Sequence, residues 1–186
     1  TSTYLFPEQV LTQPPNPPGF PDEWVSSIAT RGDYEMDPQV LGDAHYTALA
    51  RQALTNLPSV SVVMNVGDLF GPTRGVYTRR NDQNQQAASA ELIWPDGRKG
   101  FQIDCGLEIQ GGSSTGNAGN DWKSKKLSLR LLFKGDFGPG KLEYPLFENS
   151  VARRFDTLVL DAGLNYTWNH MTDATQRERA QFVRDQ

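Results

Sequence analysis

Two alternating runs joined by a three-residue turn constrain this chain more than any other feature. Ala88 to Trp94 and Gly100 to Gln110 both alternate apolar and polar side chains. A period of two is that of a β-strand, whose successive side chains point to opposite faces. Between the runs, Pro95-Asp96-Gly97 supplies a fixed φ, a carboxylate for its own backbone and a residue free to take positive φ. The sequence therefore predicts an antiparallel hairpin. Phe101, Ile103, Cys105, Leu107 and Ile109 form the apolar face of its second strand, and Gln102, Asp104, Glu108 and Gln110 the polar one. Such a face must be covered by a second layer.

Further elements follow from the same signals. Asp43 can cap a helix running to about Leu57, with Tyr46, Leu49, Ala50, Ala53 and Leu54 on one stripe and Pro58 ending it. Ser59 to Asn65 alternates, with Val60, Val62 and Met64 on one side. Asp68-Leu69-Phe70 reads as a turn before the Gly71-Pro72 break, Val76-Tyr77 as extended, and Asn81 to Gln86 as a polar loop. Lys126 to Lys134 predicts a third strand beside the hairpin, Phe155 to Leu160 a short central strand, and Thr172 to Asp185 a helix. The expected class is α+β, a mostly antiparallel sheet with flanking helices.

Residues 1–25 contain Pro7, Pro14, Pro15, Pro17, Pro18 and Pro21. Such a segment favours polyproline or extended backbone and is expected to form no helix. Tyr4, Leu5, Phe6, Phe20 and Trp24 give this segment side chains with which to dock. It is expected to be an ordered arm, residues 1–36, ahead of a domain spanning 37–186. A start at Thr1 is expected of a processed chain or of a piece of a longer one. Arg31-Gly32-Asp33 spells a cell-attachment tripeptide that recurs by chance.

A net charge of -4 over 186 residues argues against a general binder of nucleic acid or anionic membranes. No apolar run approaches the roughly 20 residues that cross a bilayer. Cys105 is the single cysteine, so no intrachain disulfide forms, and its place in an alternating strand predicts a buried small hydrophobe. His45 and His170 are too few for a zinc site without cysteine partners. Asn165-Tyr166-Thr167 is a glycosylation sequon, and Asp156 and Asp161 fit turn and capping roles. Trp24, Trp94, Trp122 and Trp168 fit core packing as well as sugar stacking.

The acidic average hides one reversal. Lys123, Lys125, Lys126, Arg130 and Lys134 follow one another with no acid between them. On a strand, Lys126, Ser128 and Arg130 face away from Leu127, Leu129, Leu131 and Phe133. Pairing with the preceding strand sets Lys126 and Arg130 beside Asp104 or Glu108. Between the strands, Gly111, Gly112, Gly116 and Gly119 permit close backbone approach, and Ser113 and Ser114 add hydroxyls. A fixed cation, a glycine-rich loop and an acid that orients the cation are what nucleotide phosphates require. Neither the kinase glycine-rich motif nor the Walker form with its Gly-Lys-Ser/Thr is present. The same residues also make a plainer object, cross-strand ion pairs on a solvated face beside a hairpin loop. Residue chemistry alone favours that plainer reading.

These residues resemble the spore coat protein H (CotH) family of bacterial atypical kinase-like proteins, above all its large secreted members. "SAELIWPDGRKGFQIDCGLEIQGG", and "KLEYPLF" followed by "FDTLVLDAGLNYTW", carry the resemblance most specifically. "YLFPEQVLTQPPNPPGFPDEW" and "LPSVSVVMNVGDLFGPTRGVYT" extend it over most of the chain. The resemblance implies the N-lobe part of a reduced protein-kinase fold that uses ATP and a divalent metal, Mg, on a protein substrate. Lys126 then matches the N-lobe lysine and Arg130 the following arginine. Gly111, Gly112, Ser113 and Ser114 match the start of the phosphate loop, and Asn165 and Trp168 a later Ala-Gly-x-Asn-x-x-Trp pattern. The chain departs from the family at three places. Thr115 stands for its arginine, Gln85-Gln86-Ala87-Ala88 for Trp-Glu-Arg-Pro, and Lys125-Lys126-Leu127-Ser128 for Pro-Lys-His-Ser. The family's catalytic and metal-binding aspartates are expected beyond Gln186, leaving the catalytic residues unknown. The alternative is a secreted or surface matrix or filament subunit on a CotH-like scaffold, without catalysis, self-associating through its N-terminal arm.

Overall fold

The computed structural model describes residues 2–25, 30–78, 84–110, 127–147 and 149–162. Among these residues the elements run α1 (Pro7–Leu11), β1 (Glu23–Val25), β2 (Thr30–Arg31), α2 (Pro38–Leu41), α3 (Ala44–Asn56), β3 (Ser59–Val63), α4 (Val66–Phe70), β4 (Gln86–Ile93), β5 (Gln102–Ile109), β6 (Leu129–Leu132), β7 (Leu142–Glu143), β8 (Arg154–Phe155) and β9 (Thr157–Leu160). The fold is α+β. Its centre is a five-stranded sheet in the order β3-β4-β5-β6-β9, with every neighbouring pair antiparallel.

The predicted hairpin is β4–β5. Its turn closes through Gly97 N–H to Trp94 C=O at 3.2 Å, and Asp96 Oδ1 accepts from Arg98 N–H. Gly97 sits at φ +75°, a left-handed conformation that a Cβ disfavours. Register sets Ala88 opposite Cys105 and Ala90 opposite Ile103. These four, with Leu92, Phe101, Leu107, Leu131, Phe133, Leu142 and Val76, form the buried core. The expected inner face is therefore present from Phe101 to Leu107. Ile109 instead joins a second cluster with Trp24 and Leu127.

Several expectations need correction. Residues 7–11 do form a short helix, because Pro7 occupies its first turn, where the absent N–H costs nothing. α3 is capped by Asp43 as expected, but its inward side is Thr47, Ala50 and Leu54, while Tyr46 and Leu49 stand exposed. α3 packs on α1 and α2 rather than on the sheet core, and Arg51 grips Glu8 with two bonds of 2.6 and 2.8 Å. Asp68-Leu69-Phe70 belongs to helix α4, capped by Asn65. Val76 and Tyr77 lie in a turn, with N–H groups bound to Asp68 and Leu69 carbonyls. The third strand is shorter than the alternation suggested. Phe155–Leu160 is split at Asp156 into β8 and β9, and β9 is last in the sheet order rather than central. The expected helix over 172–185 lies outside the described residues.

The N-terminal segment docks on its own chain at two places. Near its start, Thr3 N–H donates to Glu91 Oε2 at 2.7 Å, and Thr3 Oγ1 meets Ser61 Oγ at 2.8 Å. Near its end, Trp24 is buried against Leu127, with Tyr34, Phe70, Tyr77 and Ile109 around it. Phe20 extends that cluster edge-on to Tyr34 and Phe70. Among the described residues no helix is long and apolar enough to cross a membrane.

Candidate functional site

β5 and β6 end where the glycine-rich loop leaves and returns, and both anchors are fixed. Gln110 N–H donates to Ser128 C=O at 2.8 Å, extending the ladder one pair past the strand ends. Ser128 is buried and its hydroxyl joins two elements. It accepts from Ala162 N–H at 2.9 Å and lies 3.3 Å from Asp161 Oδ1. Leu127 is 2% exposed, and its backbone is hydrogen-bonded by Tyr77, whose hydroxyl pKa burial raises. Residue 127, directly after Lys126, is thus held by its side chain and its main chain.

The outer face of β5 carries the predicted acids, and register separates them. Glu108 stands opposite Arg130, and Arg130 Nε lies 2.9 Å from Glu108 Oε1. That nitrogen is buried without an aligned hydrogen bond, so the contact is one of charge more than of geometry. Gln85 Nε2 completes the site by donating to Glu108 Oε2 at 2.7 Å, and Lys134 Nζ reaches Gln85 Oε1 at 3.3 Å. Glu108 is only 6% exposed, and a carboxylate so buried requires partners of this kind. Asp104 lies four residues back, about 13 Å along the strand, and is exposed, with Gly138 against its carbonyl. Between the two acids is Gly106, where a Cβ would fall 2.6 Å from the Phe137 ring. That ring covers the stretch separating Asp104 from Glu108. Of the two acids, Glu108 alone joins Arg130. Gln85, the member of this site that sequence reasoning missed, was read as part of a polar loop.

Arg130 is the one predicted site residue that the structure places. Gly111, Gly112, Ser113, Ser114 and Lys126 lie outside the described residues, as do Lys123, Lys125, Asn165 and Trp168. Two further spacings stand in the sequence. Gly112-Ser113-Ser114-Thr115-Gly116 has the Gly-x-Ser-x-Gly form of a hydrolase elbow. Those five residues lie outside the described ones; the strand before them, β5, belongs to an antiparallel sheet, whereas such an elbow tops an α/β sheet. Gly135 to Lys141 has Walker spacing, but Leu142 replaces the Ser/Thr, is buried and opens strand β7 instead of a helix.

The remaining chemistry is quiet. Cys105 is fully buried, and burial pushes its thiol up to about 11. Trp94 donates Nε1–H to Tyr144 at 2.8 Å, and the Arg98 guanidinium sits 3.5 Å over its ring. Trp24 is buried, and Trp94 is partly buried against the core with Arg98 over its ring, so neither tryptophan offers an open face to a sugar. Among the described residues no three His, Cys, Asp or Glu side chains converge as a metal set.

Comparison with family models, curated proteins and solved structures finds no match.

Proposed function

We propose that this chain is the N-terminal, nucleotide-binding portion of a CotH-like atypical protein kinase, from a secreted or surface bacterial protein. The observation that carries the reading is the pinned base of the loop. Glu108 and Arg130 are locked across β5 and β6, and Leu127 and Ser128 are fixed immediately after Lys126. A phosphate cradle needs its cation and loop on rigid strands, because a pre-ordered site avoids the cost of ordering on binding. In this reading Lys126 contacts the phosphates of ATP, Gly111, Gly112, Ser113 and Ser114 approach them, and Glu108 and Arg130 hold the strand pair. Mg supplies charge neutralisation at the phosphates when bound, and a protein hydroxyl is the acceptor. The five-stranded antiparallel sheet supports an N-lobe-like frame.

The test is titration of the chain with Mg-ATP. The reading expects Lys126→Ala to weaken binding at least about tenfold and Lys123→Ala to leave it unchanged. Equal loss in both variants, or no ATP binding by the unaltered chain, overturns it.

One observation favours a second reading, a structural subunit of an extracellular matrix or filament. Tyr4 is 80% and Phe6 58% exposed on a segment otherwise docked to the chain, which suits contact with a neighbouring subunit. That reading requires an assembly larger than one chain, which light scattering detects.

A further inference from the structure

At the N-terminal end of β5 the sheet has an open edge. Leu92 N–H donates to Phe101 C=O at 2.8 Å, which sets the hydrogen-bonding phase. Phe101, Ile103, Cys105 and Leu107 turn their backbone groups toward β4, and Gln102, Asp104, Gly106 and Glu108 turn theirs the other way. β6 takes up Gly106 and Glu108, which stand opposite Leu132 and Arg130. There β6 stops, and the chain turns, with Phe137 and Gly138 N–H groups folding back to the Lys134 carbonyl. Gly138 backs onto the Asp104 carbonyl. Gln102 is left with its outward N–H and C=O unclaimed by any strand among the described residues.

This edge forms one wall of a groove of about 870 Å³, whose other wall is the chain from Pro139 to Tyr144. That wall also carries backbone groups with no partner among the described residues. Tyr144 N–H binds Arg153 C=O, and Leu142 stands opposite Phe155, so Lys141 and Glu143 turn their backbone groups away from β8. Phe101 and Tyr144 line it with rings 5.4 Å apart, edge to face. Tyr144 is fixed there, its hydroxyl accepting from Trp94 Nε1 and donating to the Lys99 carbonyl.

The charge in the groove runs against that of the chain. Lys99, Lys141 and Arg154 line it with Glu143 as the one acid, in a protein of net charge -4. Lys141 is engaged by Asp156 and Arg154 by Glu143, at exposed positions where such pairs exchange readily. Lys99 has no ion pair among the described residues.

We propose that this groove binds an extended acidic peptide, which adds to the β5 edge at Gln102 as a strand. Alternation along a strand suits the two linings, with apolar residues directed at Phe101 and Tyr144 and carboxylates at Lys99 and Arg154. The proposal is independent of the nucleotide reading. The groove, at Gln102, and the loop base, at Gln110, lie at opposite ends of β5, about 25 Å apart along the strand.

The experiment uses the full chain and a labelled short peptide alternating Glu with Val. Controls are its Lys/Val counterpart, a version with Pro in place of Val, and inorganic phosphate as competitor. The acidic peptide binds, with Gln102 amide exchange slowed and affinity falling as salt rises. Lys99→Glu weakens binding at least about tenfold and Lys99→Gln by less. Lys99 is exposed and has no ion pair among the described residues, so matching thermal melts are expected of both variants. The proposal is overturned if the acidic peptide does not bind, if the Lys/Val or Pro version binds as well, or if Lys99→Glu changes nothing. Displacement by phosphate at concentrations comparable to the peptide overturns it too, since that marks a small-anion site.

Discussion

Cys105 shows how far one position in an alternating strand determines its chemistry. Its side chain points into the core between Ala88 on β4 and the residues beyond, and no solvent reaches it. Burial disfavours the thiolate, chiefly by desolvation, and moves the thiol from 9.0 to about 11. A raised folded-state pKa gives stability that is whole below the unfolded value and is lost as pH rises toward the folded one. Between pH 9 and 10 the stability of the chain should therefore fall by about 1 kcal/mol from this group alone. Tyr34 and Tyr77, also raised by burial, add their loss only above their ordinary value of 10.0. Urea unfolding at pH 8, 9 and 10 checks this, because Cys105→Ala should flatten that first step. A slope that persists unchanged in Cys105→Ala would assign it elsewhere. Sequence alternation was enough to place Cys105 but could not choose between Asp104 and Glu108. Both lie on the outer face, and only the β5–β6 register, with the Phe137 ring between the two acids, makes Glu108 the partner of Arg130.

The elements that could be read in advance carry their own boundary signals. Gly97 made the β4–β5 turn legible, and Asp43 with Pro58 bracketed α3. The extent of β6 was less legible because the alternation from Lys126 to Lys134 runs past both ends of the strand, which spans only Leu129–Leu132. Its ladder is bounded by β5 on one side and β9 on the other, neither visible in its own residues. α1 was missed for the opposite reason, since proline content was weighed without proline position. α3 carries a testable consequence. Asp43 Oδ1 accepts from His45 N–H at 2.8 Å and Tyr46 N–H at 3.3 Å, satisfying two of the four unpaired donors of the helix start. No α3 residue is fully buried, so the cap contributes an unusual share of what holds the helix. Asp43→Ala should cost about 1 kcal/mol, and Asp43→Asn much less, since asparagine caps comparably. Amide exchange over the first turn of α3 reads this directly, with Asp43→Ala expected to accelerate it.

What the sequence left open was how the pieces meet. Thr3 lands on the outer face of β3 and β4, and Trp24 lands some twenty residues later beside the loop base, so one segment spans two parts of the sheet. These are long-range contacts between residues with no shared periodicity, and no local pattern announces them. The base of the candidate nucleotide loop is therefore built partly by the N-terminal segment, because Leu127 is covered by Trp24. Trp24 is 7% exposed, and Tyr34 and Tyr77 meet its ring within 6 Å. Truncating a tryptophan at such a site leaves a cavity that rings pinned from several sides cannot fill, so Trp24→Ala should cost about 3 kcal/mol. If the segment and the sheet form one cooperative unit, denaturant unfolding shifts as a single transition to a lower midpoint. Amide exchange at Gln110, whose N–H closes the loop base on Ser128, accelerates with it. An unchanged midpoint with exchange altered only before residue 36 would mean that the segment is an appendage and that the loop base stands without it.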